Sequence, residues 1–218
     1  MKKTLPFLKR IKKNNNTPWM HEHKAEYLSA KKEVEFLAQE IAYRLNEFDP
    51  RMPLHEPKDC MFRFNRDIRF SDNKKPYKEN FGVYFSYGSK QSDLPGYYLN
   101  ISPTELFVAG GLWMPGPPTL LKLRRFITNE GDALLRVIDD KKFKTLFGVL
   151  SEENKLKRVP KDFSPDQAFA ELLKYKSFTV SMPLAVTEVT KPGFAKKVVE
   201  QFKHMKPLND FLLRGLRS

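Results

Sequence analysis

The stretch that decides the fold is FGVYFSYGSKQSDLPGYYLNISPTELFVAGGL, residues 81–112. It contains two runs in which apolar side chains recur at every second position, Phe81 to Tyr87 and Tyr97 to Ser102, and a third apolar run, Leu106 to Leu112, follows the turn at Ser102-Pro103-Thr104. This period predicts β-strands that bury one face. Because short, turn-rich connections join the runs, we expect consecutive strands to pair as an antiparallel sheet.

Two further segments could extend this sheet. Met61 to Asn65 reads as a strand with Phe62 and Phe64 on one face and Arg63 on the other. Phe178 to Leu184 is a possible fifth strand. The sequence therefore predicts a sheet of about four or five strands.

Apolar side chains at three- and four-residue spacing predict the helices. The expected helical segments are Thr4 to Lys13, one long helix from Thr17 to Phe48, a helix capped by Thr119, residues 130–139, residues 141–147, a helix from the capping box at Ser164 to about Tyr175, a stripe from Phe194 to Met205, and residues 208–216. We predict an α+β fold in a single domain, 1–218, with N-terminal helices at 4–48, a sheet region at 59–113 and a C-terminal helical region at 119–216.

The composition favours an anionic partner. The chain carries 39 Lys and Arg against 26 Asp and Glu, a formal net charge of +13, and it contains 18 Phe. A charge of this size attracts polyanions and phosphorylated ligands. The excess positive charge is concentrated at the N-terminus and at residues 58–78, 141–161 and 191–218.

The sequence gives no indication of a cofactor, a metal or a membrane span. Cys60 is the single cysteine, which fits a reducing compartment and a packing role. His21 and His23 stand two residues apart on a predicted helix, where their side chains diverge too far to share a metal. No Walker or dinucleotide pattern is present. Since no apolar run is long enough to span a bilayer, we expect a cytoplasmic protein.

The candidate site is FRFNRDIRFSDNKKPYK, residues 62–78, which combines four aromatic rings with three arginines and three lysines. Arginine forks and lysine ammonium groups suit phosphate or carboxylate groups. We predict the anion contacts to be Arg63, Arg66, Arg69, Lys74 and Lys78. A network in which arginines and aspartates only stabilise a long loop is the structural alternative.

A second group of residues could join this site. The basic loop after residue 148 supplies Lys157, Arg158 and Lys161, and the mixed face of the sheet supplies Tyr98 together with Tyr84 and Asn100. Exposed tyrosines beside basic loops suit nucleotides or single-stranded nucleic acid.

Three functional hypotheses stay open at this point. The chain could bind a phosphorylated ligand, a nucleotide or a nucleic acid through these cations. It could instead be an enzyme acting on a small anionic substrate, with Asp67 as general base and Tyr77 as acid or orienting group. The third reading is a non-catalytic protein-interaction domain whose basic loops maintain solubility.

Several motifs, in order along nearly the whole chain, resemble the family known as domain of unknown function 2461, found in bacteria and fungi. The matching residues are Asn14-Asn15 with Trp19 and Lys24, Phe62-Arg63, Arg66-Asp67, Arg69-Phe70, Lys74 with Pro76-Tyr77-Lys78, Pro95-Gly96-Tyr97-Tyr98, Gly110-Gly111 with Trp113 and Pro115, Leu156-Lys157-Arg158 with Pro160-Lys161 and Phe163, and Glu171-Leu172-Leu173 with Lys176-Ser177-Phe178. Ala109 stands where the family tends to have a third glycine. The resemblance implies one domain over the full chain and no assigned activity.

Overall fold

The structure is a computed structural model that describes all 218 residues. It confirms the α+β class, with a four-stranded antiparallel sheet in the order β1-β2-β3-β4. The helices are α1 Thr4–Lys13, α2 Thr17–Glu22, α3 Lys24–Phe48, α4 Pro57–Cys60, α5 Pro117–Ile138, α6 Lys141–Phe147, α7 Ala170–Leu173 and α8 Phe194–Arg217. The strands are β1 Phe81–Ser86, β2 Gly96–Ile101, β3 Leu106–Leu112 and β4 Phe178–Leu184. None of these helices combines the length and the apolar character needed to cross a membrane.

The chain divides into two compact units, each assembled from separate segments. Unit 1 comprises residues 1–85, 98–108 and 183–200, and unit 2 comprises residues 86–97, 109–182 and 201–218. All four strands contribute residues to both units. The predicted partition into an N-terminal helical, a central sheet and a C-terminal helical region is a division along the sequence and stays a prediction.

The strand predictions from alternation agree closely with the structure. β3 and β4 have the predicted bounds, β1 ends one residue earlier than predicted, and β2 both begins and ends one residue earlier. The strand predicted at Met61 to Asn65 is wrong. Met61 forms a single bridge to Val83, and Asn65 forms one to Tyr77. Because the segment changes partner between these bridges, Phe62 and Phe64 do not share an environment: Phe64 is buried and Phe62 is exposed.

The N-terminal helices differ from the prediction at one point. α1 has the predicted bounds and buries Phe7, Leu8 and Ile11. The single helix expected from Thr17 to Phe48 is interrupted at His23, whose backbone φ and ψ of −104° and 20° are not helical. The N-cap of α2 is Asn16, whose side chain accepts a hydrogen bond from the Trp19 N–H at 3.0 Å.

Tertiary packing overrides the helix prediction after Ser164. Instead of a helix to Tyr175, the structure has turns followed by the four residues of α7. Phe169, which precedes α7, adopts a left-handed conformation with φ of 64°. Its ring lies so close to Gly131 that a Cβ there would come within 2.3 Å of it. The helical prediction fails because seating this ring against Gly131 requires a non-helical backbone.

Two pairs of predicted helices are continuous in the structure. The segment expected at residues 130–139 is the second part of α5, which kinks at Glu130. The two C-terminal segments form α8, which continues through Pro207.

Position 111 in β3 has no room for a side chain. Its φ is +120°, and a Cβ at this position would lie 2.0 Å from the carbonyl oxygen of Phe178 in β4. Gly111 therefore permits a close approach of two backbones, which gives it a structural role in this sheet.

Candidate functional site

The candidate segment, residues 62–78, folds as an irregular hairpin within unit 1. Its stem is closed by the Asn65–Tyr77 bridge and by two backbone hydrogen bonds: the Arg66 N–H donates to Pro76 at 2.8 Å, and the Lys78 N–H donates to Phe64 at 2.9 Å. The rings of Phe64 and Tyr77 stack in the buried base of the stem, with centroids 6.2 Å apart. Apolar burial at the base therefore holds a polar loop at the surface.

Asn15, between α1 and α2, fixes this stem from the side. Its Nδ2 donates to the Tyr77 carbonyl oxygen at 2.9 Å, and its Oδ1 accepts from the Tyr77 N–H at 3.0 Å. The amide thus pairs with both polar groups of one peptide residue, as a neighbouring strand would. The Asn15 side chain thus takes the place of a neighbouring strand on this side of Tyr77.

Two of the cations in the loop hold its backbone in place. The Arg66 guanidinium donates to the carbonyl oxygens of Asn73 and Lys75 at 3.2 and 3.1 Å and to the Ser71 hydroxyl at 3.2 Å. Lys74 Nζ donates to the carbonyl oxygen of Ile68 at 3.2 Å. These bonds satisfy carbonyl groups that no strand or helix pairs, and they make Arg66 a structural element of the loop.

Asp67 forms a two-pronged pair with Arg69. Arg69 Nη2 donates to Oδ2 at 2.7 Å and Nε donates to Oδ1 at 3.0 Å. Hydrogen bonds from the Arg69 side chain, and then from its backbone N–H, hold the pKa of the Asp67 carboxyl below its usual value, and the charge of Arg63 adds to this effect. A carboxylate with a lowered pKa is a weaker base, so this geometry does not favour the predicted general-base role.

Two exposed aromatic rings of this segment each have a cation next to them. Phe70, at the tip of the loop, is 96% exposed, and the Arg69 guanidinium lies 5.8 Å from its centroid. Phe62, before the stem, is 38% exposed, and Lys78 Nζ lies 5.2 Å from its centroid. Because Phe70 is so exposed, almost the whole apolar surface of its ring is in contact with water.

A row of aromatic rings leads from Phe62 across the sheet. The Phe62 and Tyr98 rings meet edge to face at 6.1 Å, and Tyr98 lies 5.7 Å from Phe107. Gly82 lies beneath the first pair, where a Cβ would come within 2.6 Å of the Tyr98 hydroxyl. Burial, with a smaller contribution from the charge of Glu105, raises the pKa of Tyr98 to about 12. The Tyr98 hydroxyl is therefore a proton donor at neutral pH, and it donates to Asn100 Oδ1 at 3.4 Å.

The row ends at a cavity of about 350 Å³ in unit 1. The residues that line it are Lys12, Glu79, Asn80, Asn100, Ser102, Pro103, Thr104, Glu105 and Phe107. Asn100 is only 5% exposed, and its Oδ1 accepts a hydrogen bond from Asn80 Nδ2 at 2.7 Å. Its own Nδ2 donates to the Glu105 carbonyl oxygen at 3.3 Å. The Asn80 amide is thus held in place at the cavity.

The structure brings some of the predicted site residues together and separates others. Arg63, Arg69, Lys74, Lys78 and Tyr98 all belong to unit 1.

Lys157, Arg158 and Lys161 lie exposed on an irregular segment of unit 2, and their part in ligand binding stays a prediction. Tyr77 is buried against Phe64 at the base of the stem, which does not favour its predicted role as an acid.

Sequence reasoning missed the exposed rings and the cavity. Alternation suggested that Phe62 and Phe64 share a buried face, and no periodic pattern includes Phe70. The cavity depends on residues that become neighbours only when β1, β2 and the β2–β3 turn pair. The one sequence feature that pointed to the cavity was the run Lys78-Glu79-Asn80, which connects the basic segment directly to β1.

The chain belongs to the family described as conserved hypothetical protein (DUF2461), whose model matches residues 3–211. This confirms the resemblance inferred from the motifs. Comparisons with curated proteins and with solved structures find no match.

Proposed function

We propose that this protein binds single-stranded nucleic acid through the hairpin at residues 62–78. The observation that carries the proposal is the pair of exposed rings, Phe62 and Phe70, each beside a cation. Proteins that bind single strands without sequence preference combine aromatic rings for the bases with cations for the phosphates. The proposal assigns base stacking to these two rings.

The charge of the segment supports the same reading. Residues 58–78 carry seven basic and three acidic side chains, a net charge of +4. We assign phosphate contacts to Arg63, Arg69, Lys74 and Lys78. Arg66 donates three hydrogen bonds within the loop, so we assign it no phosphate contact, whereas Lys74 donates one and its ammonium group keeps two further N–H donors for a phosphate.

The experiment is a binding titration of the 218-residue chain with a labelled single-stranded oligonucleotide of about ten nucleotides. Fluorescence anisotropy should give a dissociation constant that rises steeply with salt concentration. Phe70→Ala should weaken binding about tenfold because one stacked base is lost. Arg63→Ala should reduce the slope of log K against log salt by about 0.7.

Phe36→Ala is the matched control. Phe36 on α3 is 66% exposed and has Lys32 Nζ 5.7 Å from its centroid, so it reproduces the ring–cation pair outside the hairpin. Its removal should leave the affinity unchanged. Equal effects of Phe70→Ala and Phe36→Ala would refute the proposal, as would an affinity for anionic lipid vesicles that depends on Phe70 when no oligonucleotide is bound.

The proposal also places the protein in the cytoplasm, where single-stranded nucleic acid is available. The single cysteine, Cys60, is buried and fits a reducing compartment.

A further inference from the structure

We infer that the cavity beside Phe107 is a base-recognition site that prefers guanine. The inference rests on the proposed function, because it assigns a specific base pocket to the strand that the hairpin holds. The volume of about 350 Å³ falls within the range of about 300–1,000 Å³ typical of small-molecule sites.

The cavity is connected to the hairpin by contacts within unit 1. The ring of Phe62 touches Tyr98, and Tyr98 touches Phe107 in the cavity wall. Lys75 of the hairpin forms an ion pair with Glu79, which also lines the cavity, at 2.7 Å. The exposed ring of Phe62 and the cavity are therefore joined by a continuous row of aromatic contacts.

The charged groups of the cavity wall are two carboxylates and one ammonium group. Asn80 Nδ2 donates to Asn100 Oδ1 at 2.7 Å, which holds the Asn80 amide at the cavity wall. Glu105 contributes an exposed carboxylate, and the half-buried carboxylate of Glu79 is paired with Lys75. Lys12 is the only charged donor in the wall.

This arrangement distinguishes among the bases. Guanine is the base whose Watson–Crick edge carries N1–H and N2–H₂ donors side by side, a pattern that a carboxylate accepts with two oxygens. Adenine and cytosine each offer a single amino group on that edge, and uracil offers one N–H. Phe107 supplies an apolar surface for the ring, and Lys12 supplies a positive charge for a neighbouring phosphate.

The test compares single-stranded oligouridylates of about ten nucleotides in which the central residue is guanosine, adenosine, cytidine or uridine. Anisotropy titrations should give the guanosine-containing strand an affinity about tenfold higher than that of the others. Glu105→Gln should abolish this preference, because an amide presents one acceptor and one donor in place of two acceptors. Its affinity for oligouridylate should match that of Glu47→Gln, an exposed control on α3 that removes the same charge.

The outcomes separate the two proposals. Binding of all four strands with equal affinity, or a guanine preference that survives in Glu105→Gln, would overturn the base-recognition site and leave the proposed function intact. Failure to bind any strand would overturn both. A guanine preference that is lost only in Glu105→Gln, with the affinity of the uridylate strand unchanged relative to Glu47→Gln, supports the site.

Discussion

Replacing Asn15 by alanine should open the hairpin at residues 62–78 without unfolding the chain. Asn15 makes two hydrogen bonds to the backbone of Tyr77, at 2.9 and 3.0 Å, across 62 residues of sequence. The stem keeps its own backbone bonds between Arg66 and Pro76 and between Lys78 and Phe64. The expected effect is therefore local.

The magnitude follows from the number of bonds lost. Each hydrogen bond contributes a net of about 1 kcal/mol, so Asn15→Ala should lower the local opening free energy by about 2 kcal/mol. This corresponds to amide exchange about 30 times faster in the stem, since 1.4 kcal/mol is tenfold. Asn15→Asp keeps the acceptor for the Tyr77 N–H and loses the donor to its carbonyl group, so its effect should be about half as large in free energy.

Hydrogen–deuterium exchange followed by mass spectrometry on peptides covering residues 64–78 measures this opening. Asn14→Ala is the matched control, because the neighbouring Asn14 only donates to the Arg10 carbonyl oxygen at the exposed end of α1. It should change protection by less than about 0.5 kcal/mol. Wild-type protection in Asn15→Ala, or an equal loss of protection in Asn15→Ala and Asn14→Ala, would refute the role of Asn15 in holding the stem closed.

Three further predictions concern stability. Gly111→Ala should lower the free energy of unfolding by about 3 kcal/mol or more, because the residue has a φ of +120° and its new Cβ would collide with the Phe178 carbonyl oxygen. Arg124→Met should lower it by about 1 kcal/mol, because Arg124 is 8% exposed and its Nη2 donates to the Tyr175 carbonyl oxygen at 3.1 Å, a hydrogen bond that methionine cannot make. Burial raises the pKa of Glu33, but hydrogen bonds from Thr4 and from the Lys3 backbone N–H outweigh burial and hold the pKa below its usual value. The stability that Glu33 contributes is therefore present above the unfolded-state pKa of about 4.3 and is lost as the pH falls through the folded-state value, a loss that Glu33→Gln should remove.

Chemical denaturation measures all three, each against a matched control. Gly148→Ala tests a positive φ with no atom within 4 Å of the new Cβ, so it should cost less than Gly111→Ala. Arg125→Met changes the exposed neighbour of Arg124 and should have little effect. Glu47→Gln on the exposed face of α3 should leave the acid dependence as in the wild type. Equal effects in variant and control would contradict the corresponding prediction.

The strands were predictable because their signal is local. In a strand the alternation of side chains reports burial directly, so β1 and β2 could be located to within one residue from the residues themselves. The same reading failed at Met61 to Asn65, where the segment changes its pairing partner from Val83 to Tyr77. Alternation cannot report such a change because it depends on residues distant in sequence.

The sequence by itself determined the α+β class, the family, the basic character of residues 62–78 and the bounds of most strands. Only the tertiary structure decided which groups the basic residues contact. The Arg66 guanidinium is committed to carbonyl groups of its own loop and Arg69 to Asp67, whereas Phe70 is left in water. Composition gives the number of charges, but the partner of each charge depends on the loop geometry, which includes contacts with residues as distant in sequence as Asn15, 62 residues before Tyr77.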